Sequence, residues 1–178
     1  MDEPTFESIV SEHGAWIRKT LSCLGVGASD LDDVEQEVLR GVARGLPTFD
    51  PSLAAVPEGA LTSWLFGICE RQAASHRRKN RRRAEVPRET SELDGVGSDA
   101  PSPEARLLAC ERKARLYEAL EHMEPGRLAV IVAYELDGIP MVDVALRLRI
   151  PVNTAWNRLR LAREAIRAAF RRDENDGP

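Results

Sequence analysis

The chain is predicted to be all-α, built as two small helical domains joined by a flexible linker. Three features predict it. Apolar residues recur at helical spacing through both ends of the chain, the pattern of helices that bury one face. Residues 84–103 change abruptly to Pro, Glu, Ser, Asp and Gly, a composition with too little apolar surface to offset the entropy of ordering it. Near Arg149, Ile150 and Pro151 two short helical patterns meet at a tight turn, and the second is crowded with arginine. A length of 178 residues, 43% of them hydrophobic and 30% charged, suits one ordinary soluble domain or two small ones.

The first helix is expected from about Thr5 to Leu24, with Phe6, Ile9, Val10, His13, Ile17 and Leu24 on one stripe and Trp16 and Leu21 flanking it. Gly25 and Gly27 end it. A second helix starts at Ser29 or Asp30, whose side chains can cap it, and Leu31, Val34, Val38 and Val42 face inward. Between Gly45 and Gly59 three prolines remove backbone donors, so this stretch reads as a loop. A third helix runs from about Ala60 to Arg82, packing through Leu61, Leu65 and Ile68 with Trp64 and Phe66 beside them, and it ends in nearly pure positive charge. Beyond the linker a helix is expected from about Pro103 to His122, carrying Leu107, Leu108, Leu116 and Leu120, followed by another over Arg127 to Leu136. The boundaries are 1–83 for the first domain, 84–103 for the linker and 104–174 for the second.

The last two helices form a predicted helix-turn-helix. Val142, Val144, Ala145 and Leu148 supply the inward face of its first helix; Ile150 and Pro151 break it; Asn153 or Thr154 can cap the next. Leu159, Ala162 and Ile166 then recur at helical spacing, while Arg158, Arg160, Arg163, Arg167, Arg171 and Arg172 cover much of the rest. Such a unit docks its second helix in the DNA major groove, with the helix's first residues reaching base edges. Here those residues are Asn153, Thr154, Trp156, Asn157 and Arg158. The bland alternative is an arginine-rich solvated helix, and the short helix before the turn is what favours DNA.

Net charge is −4, which disfavours unaided DNA binding. The charges are segregated. Asp30, Asp32, Asp33, Glu35, Glu37, Asp50 and Glu58 make one block acidic, and Arg71, Arg77, Arg78, Lys79, Arg81, Arg82 and Arg83 make the next basic. Two partners are implied, one protein and one nucleic acid. Cys23, Cys69 and Cys110 are far apart in helical segments and read as buried thiols; His13, His76 and His122 have no ligand-spaced neighbours. No nucleophile elbow or phosphate loop is present, so no metal, cofactor or catalytic group is expected. With no apolar run of about twenty residues and an acidic N-terminus, a cytoplasmic location without membrane insertion is expected.

Several runs together resemble the sigma-70 family of RNA polymerase sigma factors, in its extracytoplasmic-function (ECF) form that keeps only regions 2 and 4. Asp30 to Leu39 (DLDDVEQEVL) resembles the acidic helix that binds the polymerase clamp. Leu61 to Ile68 (LTSWLFGI) resembles the tryptophan-leucine signature of region 2, and His76 to Arg83 (HRRKNRRR) its basic end. Ala119 to Pro125, Glu135 to Ile139, Pro151 to Thr154 and Arg158-Leu159 resemble region 4.

The resemblance implies binding to core RNA polymerase, through the β′ clamp and the β flap, and to promoter DNA. Asp32, Asp33, Glu35, Gln36 and Glu37 would meet the polymerase. Trp64, Arg71, Ser75, His76, Arg78, Lys79, Arg81 and Arg82 would meet the −10 element, and Asn153, Thr154, Trp156, Asn157, Arg158, Arg160 and Arg163 the −35 element. Opening a promoter needs a shaped loop for a displaced base and cations for the freed strand; the loop from Phe49 to Ala60 and the helix behind it are placed for that. Trp64 also reads as a core residue beside the apolar stripe. Arg71, Ser75, Arg149, Trp156 and Leu161 depart from the family's usual asparagine, aspartate, glycine, lysine and basic residue. An anti-sigma factor is a further partner that the family implies. The rival readings are a free-standing dimeric helix-turn-helix regulator, which needs two-fold half-sites, and a structural adaptor.

Overall fold

A computed structural model of the chain describes residues 4–83, 112 and 114–175. Three helices make the N-terminal unit: α1 (Phe6–Cys23), α2 (Ala28–Gly45) and α3 (Ala60–Arg83). Thr5 starts α1 with a reciprocal cap, its Oγ1 accepting from the Ser8 N–H while Ser8 Oγ accepts from the Thr5 N–H, both at 3.1 Å. Helix α2 begins one residue earlier than expected, behind Gly27 and with no side-chain cap, so Ser29 and Asp30 lie inside its first turn. The loop between α2 and α3 contains three single turns of 3-10 helix, at Leu46–Thr48, Pro51–Leu53 and Pro57–Gly59. Each has proline in its first two positions, where a missing N–H costs nothing.

Ile9, Ile17 and Leu21 of α1, Leu31, Val34, Val38 and Val42 of α2, and Leu65, Phe66, Ile68, Cys69 and Ala73 of α3 fill the space between these helices. Two expectations are corrected. Val10 is 39% exposed although it lies seven residues before Ile17 on the same side of α1, and Leu21, expected to flank the stripe, is fully buried in it beside Ile17, Thr20 and Leu24.

The C-terminal unit has a helix over 114–121, here α4, then α5 (Pro125–Ile131), α6 (Met141–Leu148) and α7 (Val152–Asn175). Of the helix expected over Pro103 to His122, only residue 112 and residues from 114 on are described, so Leu107, Leu108 and Cys110 lie outside the described residues, as does the expected linker. Glu124 caps α5, its carboxylate oxygens accepting from the N–H groups of Gly126 at 2.9 Å and Arg127 at 3.1 Å. Val132–Leu136 continue α5 as one widened π turn. In α6 the buried residues are Met141, Asp143, Val144 and Ala145, whereas Val142 is 52% exposed. The expected inward role of Val142 is therefore wrong; the stripe follows 141, 144, 145 and 148, and 142 falls off it.

The two units touch, and their buried residues form one contiguous cluster. Helix α6 packs on α3. Trp16 Nε1 of α1 donates to Asp137 Oδ1 at 3.0 Å, and the Thr20 hydroxyl lies 3.3 Å from both Asp137 oxygens. The Ala55 N–H in the proline-rich loop donates to Asp143 Oδ1 at 2.6 Å, and Arg147 Nε donates to Ser63 Oγ of α3 at 3.1 Å. Two helical units are present as the sequence suggests, but docked.

Helix α6 ends at Arg149, which takes the left-handed conformation (φ 54°, ψ 47°). The Ile150 N–H reaches the Ala145 carbonyl at 3.0 Å and the Arg149 N–H the Leu146 carbonyl at 3.2 Å, the paired bonds of a Schellman ending. An L side chain there costs about 1 kcal/mol. Arg149→Gly is expected to recover about that much and to raise Tm by roughly 2–4 °C in a thermal melt; an unchanged or lowered Tm would contradict this account of the turn.

Candidate nucleic-acid and partner interfaces

Helix α2 presents the predicted acidic face. Leu31, Val34, Val38 and Val42 are buried on one side, and this places Asp32, Asp33, Gln36 and Glu37 in solvent on the other. Glu35 is half-buried, and it and Asp32 share Arg18 of α1, the Asp32 contact being 2.7 Å. Glu37 and Gln36 both lean toward Arg40, at 2.5 and 3.5 Å. Exposed ion pairs of this kind contribute little to stability, so the carboxylates can exchange partners.

Behind the proline-rich loop, Trp64 stacks on Phe49 with ring centroids 5.1 Å apart. It also lies against Gly45, where a Cβ would come within 2.9 Å of the indole. Its reading as a packing residue is the one its surroundings favour: it holds the loop's shape from beneath. Along α3, Arg71, Arg78, Lys79 and Arg81 are exposed and Ser75 is half-buried. Arg82 lies in the helix, but its side chain is outside the described residues. His76 turns back toward α2, with its Nε2 3.3 Å from Asp30 Oδ2 and 2.8 Å from Asn80 Nδ2.

Arg77 departs from its neighbours. Its Nη1 donates to the Leu24 carbonyl just beyond α1, and its Nη2 is buried without a partner. Burial lowers its pKa, Glu70 opposing and Arg81 and Arg78 adding to the shift. This guanidinium ties α3 to the end of α1 and is not part of the cationic surface that the run from Arg77 to Arg83 suggested.

In α7 the two faces are cleanly divided. Ala155, Leu159 and Ala162 are buried against the unit, while Asn153, Trp156, Asn157 and Arg160 face out. The helix begins at Val152, so Asn153 and Thr154 sit inside its first turn and do not precede it as caps. Trp156 is 44% exposed and meets the ring of Tyr134 edge-on at 5.3 Å. The π turn brings Tyr134 there, and it also carries Glu135 to Arg163, whose Nε lies 2.8 Å from Glu135 Oε1. Arg160 bonds Glu164 at 2.7 Å and Asn157 at 2.9 Å. Arg158 is half-buried over Gly126, where a Cβ would come within 2.8 Å of Nη1. The seven predicted residues thus share one helix, but Arg163 also fastens α7 to the π turn, and Arg158 lies against Gly126 at the start of α5.

The sequence reading missed the contacts made by Asp137, Asp143 and Arg147. The one available signal was an aspartate set between Val142 and Val144 in a strongly apolar helix. Cys23 and Cys69 are buried free thiols, as expected, and burial raises the pKa of each. Among the described residues no helix is long and apolar enough to cross a membrane.

Comparison with known proteins gives this geometry its context. Residues 9–83 match the family Sigma-70 region 2, and residues 113–166 match Sigma-70, region 4. The chain is 26% identical over 177 residues to the RNA polymerase sigma factor CnrH of Cupriavidus metallidurans, covering 97% of this chain and 90% of that one. It is 28% identical over 149 residues to the RNA polymerase sigma-H factor of Pseudomonas aeruginosa, covering 80% and 74%. Among solved structures, CnrH in complex with the cytosolic domain of CnrY aligns with a TM-score of 0.63 at 23% identity, covering 94% of this chain and 88% of that one. The sigma factor RpoE in complex with the anti-sigma factor NepR from Bartonella quintana aligns at 0.72 and 16% identity, covering 93% and 96%. With regions 2 and 4 matched in order on helical units that present an acidic and an arginine-bearing face, the chain belongs to the sigma-70 family of RNA polymerase sigma factors, in its extracytoplasmic-function group.

Proposed function

We propose that this chain acts as a promoter-specificity subunit, binding core RNA polymerase and directing it to its start sites, with residues 1–83 and 104–174 as the working domains and 84–103 as the linker. The observation that carries this reading is the divided surface of α7, with a small-residue apolar face packed inward and Asn153, Trp156, Asn157 and Arg160 presented together. Side chains of these types read base edges and phosphates when a helix enters the major groove. Family membership supports this reading over the dimeric regulator.

Each surface then has a task. The exposed carboxylates Asp32, Asp33 and Glu37, with Gln36 and the half-buried Glu35, would pair with a basic clamp surface of β′, setting register and association rate. Region 4 would sit on the β flap with α7 toward the −35 element. The loop held by Trp64 would receive a displaced base near the −10 element, and Arg71, Arg78, Lys79 and Arg81 would follow the freed strand. The reading assigns no catalytic group, metal or cofactor to the chain and places its action in the cytoplasm, where transcription occurs. An inhibitory protein partner is proposed by analogy with the relatives solved in complexes.

With core polymerase, the full chain is expected to yield defined start sites on a genomic promoter pool, and by itself to bind promoter DNA weakly. Absence of any chain-dependent transcript, together with no co-elution with core enzyme, would sink the assignment. Replacing Arg78, Lys79 and Arg81 by alanine is expected to weaken polymerase-dependent promoter binding and to lower its log-log salt slope by up to about 0.9 per lost contact. Arg77→Met should leave that slope unchanged yet destabilise the chain by about 1–3 kcal/mol, because the buried Leu24 carbonyl loses its donor. A slope that moves with Arg77 and not with the other three would reverse the assignment.

A further inference from the structure

The start of α7 carries an exposed apolar strip that neither packing nor phosphate contact accounts for. Trp156 is 44% exposed, and one helical turn before it Val152 is 36% exposed. Spaced at i and i+4, the two lie on one side of the helix, beside the outward-facing Asn153, Asn157 and Arg160. Trp16 and Trp64, by contrast, pack against the buried core. Trp156 leaves much of its indole in water, on the helix that the reading above turns toward the promoter.

That indole is also held in place. Tyr134 meets it edge-on, with ring centroids 5.3 Å apart and planes at 68°, an arrangement that the ring quadrupoles favour. Tyr134 stands in the π turn Val132–Leu136, and its neighbour Glu135 bonds Arg163 further along α7. The π turn therefore touches α7 at two points about two helical turns apart, which leaves the indole little room to swing. A side chain fixed before binding gives up little freedom on contact.

What an exposed apolar ring can recognise in a major groove is narrow. Each base pair presents donors and acceptors there, and the one apolar group in the pattern is the C5 methyl of thymine. Over a cytosine or a purine the indole would cover polar atoms that it cannot fully pair; over a thymine it takes a methyl group out of water. We propose that Trp156 is a specificity-determining residue that selects thymine at one position of the −35 element by covering its methyl group, with Tyr134 as its positioning residue. This rests on the sigma-factor reading above. It also divides the face of α7: Asn153, Asn157 and Arg160 carry the hydrogen-bonding groups for base edges and phosphates, and Trp156 discriminates by the methyl alone.

The test removes that methyl and nothing else. On a promoter that the full chain uses with core polymerase, each thymine of the −35 element, on either strand, is replaced singly by deoxyuridine, which pairs in the same way but lacks the methyl. Polymerase-dependent binding is expected to fall about fourfold at one position, the effect of returning one carbon group to water, and the Trp156→Ala chain to bind both templates equally. Because Trp156 is uncharged, Trp156→Ala should leave the log-log salt slope unchanged. Tyr134→Phe, which keeps the ring, is expected to keep the thymine preference, and Tyr134→Ala to lose most of it; a full preference in Tyr134→Ala would overturn the positioning role. A wild-type chain indifferent to every deoxyuridine, or a Trp156→Ala chain that still prefers thymine, would overturn the proposal. If no unmodified promoter yields a transcript with core enzyme, the sigma-factor reading fails instead. Binding of the free full chain at low salt to random duplexes made with thymine or with deoxyuridine then decides the proposal: a thymine preference lost in Trp156→Ala upholds it, and equal binding overturns it.

Discussion

Two carboxylates at the contact between helical units, Asp143 fully buried and Asp137 half-buried, govern how this chain presents itself. Asp137 and Asp143 each accept bonds from residues more than eighty positions away in sequence, and hydrogen bonds to a desolvated carboxylate are strong and geometrically demanding. They hold the C-terminal unit on α1 and on the proline-rich loop, while Arg147 ties α6 to Ser63 of α3. Because each also retains a desolvation cost, the contact specifies one arrangement without making it permanent.

Charge segregation along the chain becomes a division of labour once the helices are packed. The acid-rich side of α2 is exposed because valines and a leucine claim the opposite side, and the cations of α3 are exposed for the same reason. Arg77 is the exception: the unsatisfied end of α1 needs a donor, and the arginine nearest to Leu24 supplies it. One run of like charge therefore holds two kinds of residue, separated only by which side of the helix each occupies.

The recognition helix shows a similar dual use. Arg163 ties α7 to the π turn through Glu135, Arg158 lies over the start of α5, and the buried Ala155, Leu159 and Ala162 fix the rotation of the rest of the face. The widened turn at Val132–Leu136 brings Tyr134 under Trp156 and Glu135 to Arg163. A π turn inserts its extra residue at a place where side chains must be re-aimed, and here both re-aimed side chains meet α7.

The helices and most of their inward residues were legible in the amino-acid sequence, because period-3.6 patterning acts over a few residues and leaves local marks. The acidic face of α2 and the outward face of α7 were legible for the same reason. The true inward residue of α6, the tether role of Arg77, the seating of Trp64 beneath Phe49 and the docking of one unit on the other were not. Each depends on which distant group arrives to complete a bond or fill a space, and such pairings leave no periodic trace in the chain. Asp143 illustrates the boundary: sequence alone shows a carboxylate in an apolar helix, and only the tertiary structure supplies the Ala55 N–H that makes its burial tolerable.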